Sequence, residues 1–138
     1  MDTARLAEIH AACFETPRPW SAVEFDALLA SKAVFICQKP DGFIMGRIVA
    51  DEAELLTIAV LPKAQRNGIG SQLMQAFETQ VSDGNVGRVF LEVSAENAAA
   101  IALYHKFGFE QAGLRHGYYS TPERKKADAL VMVKHQSN

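Results

Sequence analysis

The run ELLTIAVLPKAQRNGIGSQLM, from Glu54 to Met74, contains the change of period on which the fold turns. Glu54 to Leu61 is apolar and β-rich and reads as a strand. Beyond Pro62, Ile69, Leu73, Ala76 or Phe77, and Val81 recur at three- and four-residue spacing, which predicts a helix ended by Asp83-Gly84-Asn85. The next β-rich run, VGRVFLEVS from Val86 to Ser94, completes a strand–helix–strand unit, whose right-handed crossover makes its two strands locally parallel. Between strand and helix, Gln65-Arg66-Asn67-Gly68-Ile69-Gly70-Ser71 sets two glycines and an arginine at a helix N-terminus. Unpaired N–H groups and the positive end of the helix dipole suit an anion there, although the same glycines serve equally well in a corner that binds nothing. A dinucleotide fingerprint would need glycine where Leu73 stands, and a Gly-Lys-Ser/Thr loop is absent.

Upstream of this unit, Leu6, Ile9 and Cys13 predict a helix from Thr3 to about Phe14, stopped by Pro17 and Pro19. Ser21 caps a second helix running to about Ser31, with Glu24 completing a capping box and Val23, Phe25 and Leu28 or Leu29 expected inside. AVFICQ and GFIMGRIVA flank Lys39-Pro40-Asp41-Gly42 as a hairpin, and Asp51-Glu52-Ala53 turns the chain into ELLTIAVL, giving a three-strand antiparallel meander. Downstream, Asn97 opens a helix from Ala98 to about Phe107, closed by Gly108, before the strands FEQAGLR and ALVMVKH. The expected order is ααβββαβαββ, an α/β fold with a mixed, mostly antiparallel sheet and helices on both faces.

A chain of 138 residues, 49% hydrophobic and 22% charged, fits one globular domain spanning 1–138. A net charge of −2 lacks the basic excess that phosphate-backbone recognition needs, so nucleic acid is not an expected partner. No stretch approaches the ~20 apolar residues of a membrane span. Cys13 and Cys37 are too few for a disulfide framework, which points to a reducing cytoplasm. His10, His105, His116 and His135 sit on separate elements without metal-ligand spacing, and G-x-S-x-G is missing, so neither a metal site nor hydrolase chemistry is expected.

Three side chains stand out. Glu92 interrupts the apolar strand Val89-Phe90-Leu91-Glu92-Val93, where cover by flanking helices would favour its neutral acid and suit a general base; an exposed or lysine-paired glutamate is the alternative. Asn97 either caps its helix or meets a ligand. Tyr104 follows Ile101 on one stripe, as a core tyrosine with its hydroxyl at a rim does.

Taken together, TIAVLPKAQRNGIGSQLM and LEVSAENAAAIALYHKFGF resemble the two signature segments of the GNAT acyl-CoA-dependent N-acetyltransferases. The resemblance implies that the turn from Arg66 through Asn67, Gly68, Ile69 and Gly70 to Ser71 grips the CoA pyrophosphate through its backbone, and that Ile58, Ala59 and Val60 line the pantetheine arm. It implies a V-shaped gap between that strand and the one bearing Glu92, with Asn97 near the pantetheine and Tyr104 near the thioester sulfur. The likeness is sharpest to the ribosomal-protein-alanine, or RimI-type, branch, through Pro19-Trp20-Ser21 and the tail pattern Tyr118-Tyr119…Asp128-Ala129…Met132. That branch implies Glu92 as base and Tyr104 as acid. It also implies an acceptor groove between the Phe14–Trp20 loop and the Tyr118-Tyr119 pair, with acetyl-CoA as co-substrate, no metal, and a protein N-terminus as acceptor. Family members usually begin with a strand before the first helix, and this chain is expected to lack it.

An α-amine with pKa about 7.7–8.0 is about one unit from neutrality at pH 7, a lysine about 3.4 units; at 1.36 kcal/mol per unit these cost roughly 1.2 and 4.6 kcal/mol. One glutamate base therefore suits an N-terminus better than a lysine. Glu15, Asp51, Glu52 and Glu54 are expected near segments that flank the groove, either attracting a basic peptide or standing as solvated surface charges in connections. Acetylation of a small-molecule amine or lysine, or a silent acyl-CoA-binding module, are the competing readings.

Overall fold

A computed structural model describes residues 1–136 apart from Thr16, Arg66, Thr121, Pro122 and Arg124. Its elements follow the expected order: α1 (Thr3–Cys13), α2 (Ala22–Leu29), β1 (Val34–Lys39), β2 (Gly42–Val49), β3 (Glu52–Val60), α3 (Ile69–Asp83), β4 (Arg88–Ser94), α4 (Ala98–Lys106), β5 (Glu110–Ser120) and β6 (Lys126–His135). A short 3-10 turn, Pro62–Ala64, sits between β3 and α3. Asp2 caps α1. The Ser21–Glu24 capping box forms in full at α2, and Asn97 Oδ1 accepts the Ala100 N–H at 3.1 Å to start α4.

The strands make one sheet in the order β1-β2-β3-β4-β6-β5, with β3 and β4 its parallel pair and all other pairs antiparallel. Successive β2 residues show why helices cover both faces. Phe43 and Met45 pack with Leu6 and Ile9 of α1 and Phe25 of α2, while Ile44 packs with Leu73, Met74, Phe77 and Val81 of α3. Val23 departs from expectation: it is 74% exposed, because only the Phe25 side of short α2 meets the sheet.

Two irregularities shape the molecule for ligand. β3 pairs with β4 only at Glu52, Ala53 and Glu54. Directly after, the β2 register slips by one residue, with Gly46 opposite Leu55 and Met45 opposite Thr57, so that Leu56 is extra. A bulge bends its strand, and here the bend coincides with β3 leaving β4. Strand β4 stays paired with β6 from Arg88 to Ser94, so the sheet opens on one side of β4 only. On β5 a second slip, between Arg115 and Tyr119, is centred on Gly117, at φ +59, whose N–H donates to Asp128 Oδ1 at 2.8 Å. Consecutive strand residues should face opposite sides of the sheet; this bulge turns both Tyr118 and Tyr119 toward the opening.

Candidate active site

The opening between β3 and β4 is occupied by two joined chambers. One, of ≈ 500 Å³, is lined by Ile58, Ala59 and Val60 of β3, Gly68, Gly70 and Ser71 at the start of α3, Asn97 to Leu103 along α4, and Cys13, Phe14 and Gln65. The other, of ≈ 330 Å³, is walled by His10, Phe14, Pro17 and Trp20, floored by Glu54 to Ile58, and closed by Glu92, Ser94, Tyr104, Tyr118 and Tyr119. Phe14, Ile58, Asn97 and Ala100 border both, so the chambers meet at one junction.

In the larger chamber the chain offers backbone. Leu61 donates its N–H to the Asp41 carbonyl at 2.8 Å, on the β2 side. Alternation along an extended chain therefore turns the backbone groups of Val60 and Ile58 the other way, into the gap. The Val60 carbonyl there accepts from Gln65 Nε2 at 3.0 Å and Cys13 Sγ at 3.2 Å. Ala59 contributes only backbone, since its side chain is buried with α1 and α2. Gly68 precedes α3 at φ +76, in the left-handed region that glycine tolerates best, and α3 has no side-chain cap. Its first-turn N–H groups and dipole thus stand open beside the chamber, with Lys106 Nζ 3.1 Å from Ser71 Oγ. Asn67 and Ile69 line neither chamber, and Ile69 packs toward the core; Arg66 lies outside the described residues.

The smaller chamber offers side chains. Tyr104 is 5% exposed and packs edge-on to Phe109. Burial, with Tyr119 nearby as a lesser cause, pushes its phenol pKa up, so the hydroxyl keeps its proton. Tyr119 is pushed up to about 12 by burial and then by the Glu92 charge. Glu92 comes nearer to its exposed, paired alternative than to the covered carboxylate: its side chain is 24% exposed, and the partner is an arginine, with Arg115 Nη2 at 3.5 Å. The Glu92 side chain borders the smaller chamber and so is not packed over on that side. Arg115 also lies over the Tyr118 ring at 4.9 Å, which joins carboxylate, guanidinium and tyrosine pair into one group. Asn97 takes the first of its alternative roles, capping α4, and it also borders both chambers.

Of the acidic residues expected near the groove, only Glu54 lines it, and Arg47 holds it at 2.6 Å. Glu52 pairs with Arg88 at the far end of β3, and Glu15 and Asp51 line neither chamber. Sequence reasoning missed His10, Thr57, Gln65 and Arg115. The spacing of Leu6, His10 and Phe14, one helical turn apart, would have placed His10 on the buried stripe; its partner Thr57 has no local signal. Among the described residues no cluster of three or more His, Cys, Asp or Glu side chains is arranged to hold a metal, and no helix is long and apolar enough to cross a membrane.

The family model for the Acetyltransferase (GNAT) family matches residues 3–109. The chain is 36% identical over 119 residues to the [ribosomal protein bS18]-alanine N-acetyltransferase of Escherichia coli (strain K12), covering 83% of this chain and 80% of that one. It is 34% identical over 140 residues to the N-alpha-acetyltransferase RimI of Mycobacterium tuberculosis, covering 95% and 85%. Among solved structures, the ribosomal-protein-S18-alanine N-acetyltransferase from Escherichia coli superposes with a TM-score of 0.87 at 32% identity, covering 99% of this chain and 88% of that one.

Proposed function

The chain belongs to the GNAT family of acetyltransferases, and on that premise we propose that it transfers the acetyl group of acetyl-CoA directly to the free α-amine of a protein N-terminus. The N-terminal alanine of ribosomal protein bS18 is the acceptor named for its relative. In this reading the whole chain acts as a single domain, and an acceptor made on ribosomes puts its work in the cytoplasm.

The observation that carries the reading is the junction of the two chambers. One side offers backbone and a helix N-terminus, fitted to an extended amide-bearing arm and its phosphates; the other offers an aromatic slot containing a carboxylate and a phenol. Acetyl-CoA supplies an activated thioester. Backbone groups of Ile58 and Val60 would pair with its amides, and the turn Arg66, Asn67, Gly68, Ile69, Gly70 and Ser71 would hold its pyrophosphate. Asn97 would border the arm where the chambers join.

Glu92 would take the proton from the incoming amine, directly or through a water, and the roughly 1.2 kcal/mol needed to neutralise an α-amine at pH 7 lies within the reach of one carboxylate. Tyr104, kept protonated by burial, would deliver a proton to the departing sulfur. Phe14 and Trp20 on one side and Tyr118 and Tyr119 on the other would grip the first residues of the peptide. Cys13 faces the larger chamber with its thiol pKa raised by burial, which suits a wall better than a nucleophile.

The test is CoA release from acetyl-CoA with two hexapeptides copied from the bS18 N-terminus, one with a free α-amine and one α-N-blocked. Release with the free peptide alone is expected. Equal release with the blocked peptide would move the acceptor to a lysine, and binding of acetyl-CoA without release on either would overturn the peptide reading in favour of a small amine.

A further inference from the structure

His10 is a buried ionisable side chain in the wall of the smaller chamber to which the proposed chemistry gives no task. Its Nδ1 receives the backbone N–H of Trp20 at 3.0 Å. A backbone N–H can only donate, so Nδ1 carries no proton; in the neutral ring the proton sits on Nε2, and the 3.0 Å contact with Thr57 Oγ1 is a donation to that hydroxyl. The ring faces are covered by Phe14, stacked at 4.3 Å, and Trp20, stacked at 4.9 Å. One imidazole thus joins both aromatic residues of this wall to β3, at the residue after the Leu56 bulge.

We propose that His10 is a positioning residue for the acceptor: its neutral ring sets the distance between the Phe14–Trp20 wall and β3, and so the width of the slot that receives the first peptide residues. The proposal rests on the reading of Phe14 and Trp20 as acceptor contacts. Geometry makes the neutral state a requirement, because a second ring proton would set donor against donor at the Trp20 N–H. Burial opposes that proton and the charge of Glu24 on α2 favours it; burial wins, holding the pKa down to about 4.

Three substitutions separate the contacts. His10→Leu removes both hydrogen bonds, His10→Asn keeps an acceptor at the Nδ1 position, and Thr57→Val removes one hydroxyl at nearly constant volume. Loss of a buried hydrogen-bond partner corresponds to an expected rise in acceptor-peptide KM of ~10–100-fold for His10→Leu, with less for His10→Asn and Thr57→Val. The KM for acetyl-CoA and the kcat at saturating peptide should stay within about twofold. Trp20 is the only tryptophan in the chain, so its emission reports the clamp without reference to activity, and it should shift in His10→Leu. In the unaltered protein the ¹⁵N spectrum of the ring should show an unprotonated Nδ1 and a protonated Nε2.

An unchanged peptide KM in His10→Leu, alongside a shifted Trp20 emission, would overturn the positioning role and leave only a packing one. A protonated Nδ1 would overturn the clamp itself. If Trp20→Ala also leaves peptide KM unchanged, the failure lies in the acceptor reading of that wall. Should His10→Leu not fold, Thr57→Val and the ¹⁵N spectrum still decide the matter.

Discussion

The two chambers are built from different material. The larger draws on the end of β3, the start of α3 and one side of α4, and presents backbone amides, glycines and alanines. The smaller gathers side chains from α1, the loop to α2, β3, β4, α4 and β5, and presents aromatic rings and the carboxylates Glu54 and Glu92. Recognition by backbone needs only a conformation, which a short motif can encode. Recognition by side chains needs distant segments to converge, and each convergence here depends on a bulge, a clamp or an ion pair.

The sharpest way to probe this division is at the phenol of the smaller chamber. Tyr104→Phe should lower kcat by ~10²–10⁴ with little change in acetyl-CoA affinity, since only a proton donor is lost. An unchanged kcat would remove the phenol from the chemistry, and an equal loss of acetyl-CoA affinity would show that the two chambers do not act separately.

Acid should act through the smaller chamber, at its buried imidazole. Unfolded, His10 binds a proton near pH 6.5; folded, burial lowers this to about 4 against the pull of Glu24. Between those values the unfolded chain holds more protons, so the stability contributed by the neutral ring is complete above pH 6.5 and is lost as pH falls to about 4. The total is about 3 kcal/mol. Denaturant titrations from pH 7 to 4 should show that slope in the unaltered protein and a flatter one in His10→Leu.

The larger chamber should answer to backbone conformation alone. Gly68→Val puts a β-branched residue at φ +76 with no neighbour to clash with, so its effect is strain of roughly 1–2 kcal/mol in the turn. Calorimetry should show acetyl-CoA binding weakened by about tenfold while peptide KM holds; a peptide effect of equal size would break the comparison. The smallest effect belongs to Asn97, one of the residues that border both chambers. Asn97→Ala removes the α4 cap, at a cost of about 1 kcal/mol, and should shift the KM for both substrates slightly in the same direction.

Most of the element order was legible because each helix and strand carries its own period, and the caps at Ser21 and Asn97 are local hydrogen-bond motifs. The turn at Gly68 was legible for the same reason. Glu92 stood out by its polarity, but its surroundings did not, because the guanidinium beside it comes from β5. Val23 was misplaced because a helix as short as α2 leaves its phase against the sheet to be chosen by packing. The pairing of Tyr118 with Tyr119 on one side of a strand contradicts period two, and only the bulge at Gly117 explains it.

The sequence by itself determined the secondary structure, the parallel crossover and the anion-ready turn, since these follow from interactions between residues close in the chain. Tertiary structure alone decided where β3 leaves β4, which carboxylate faces the opening, and how His10 holds the slot at its width. Those outcomes rest on contacts such as His10 with Thr57 and Arg115 with Glu92, whose partners lie far apart in sequence, and no local period records which of them will meet.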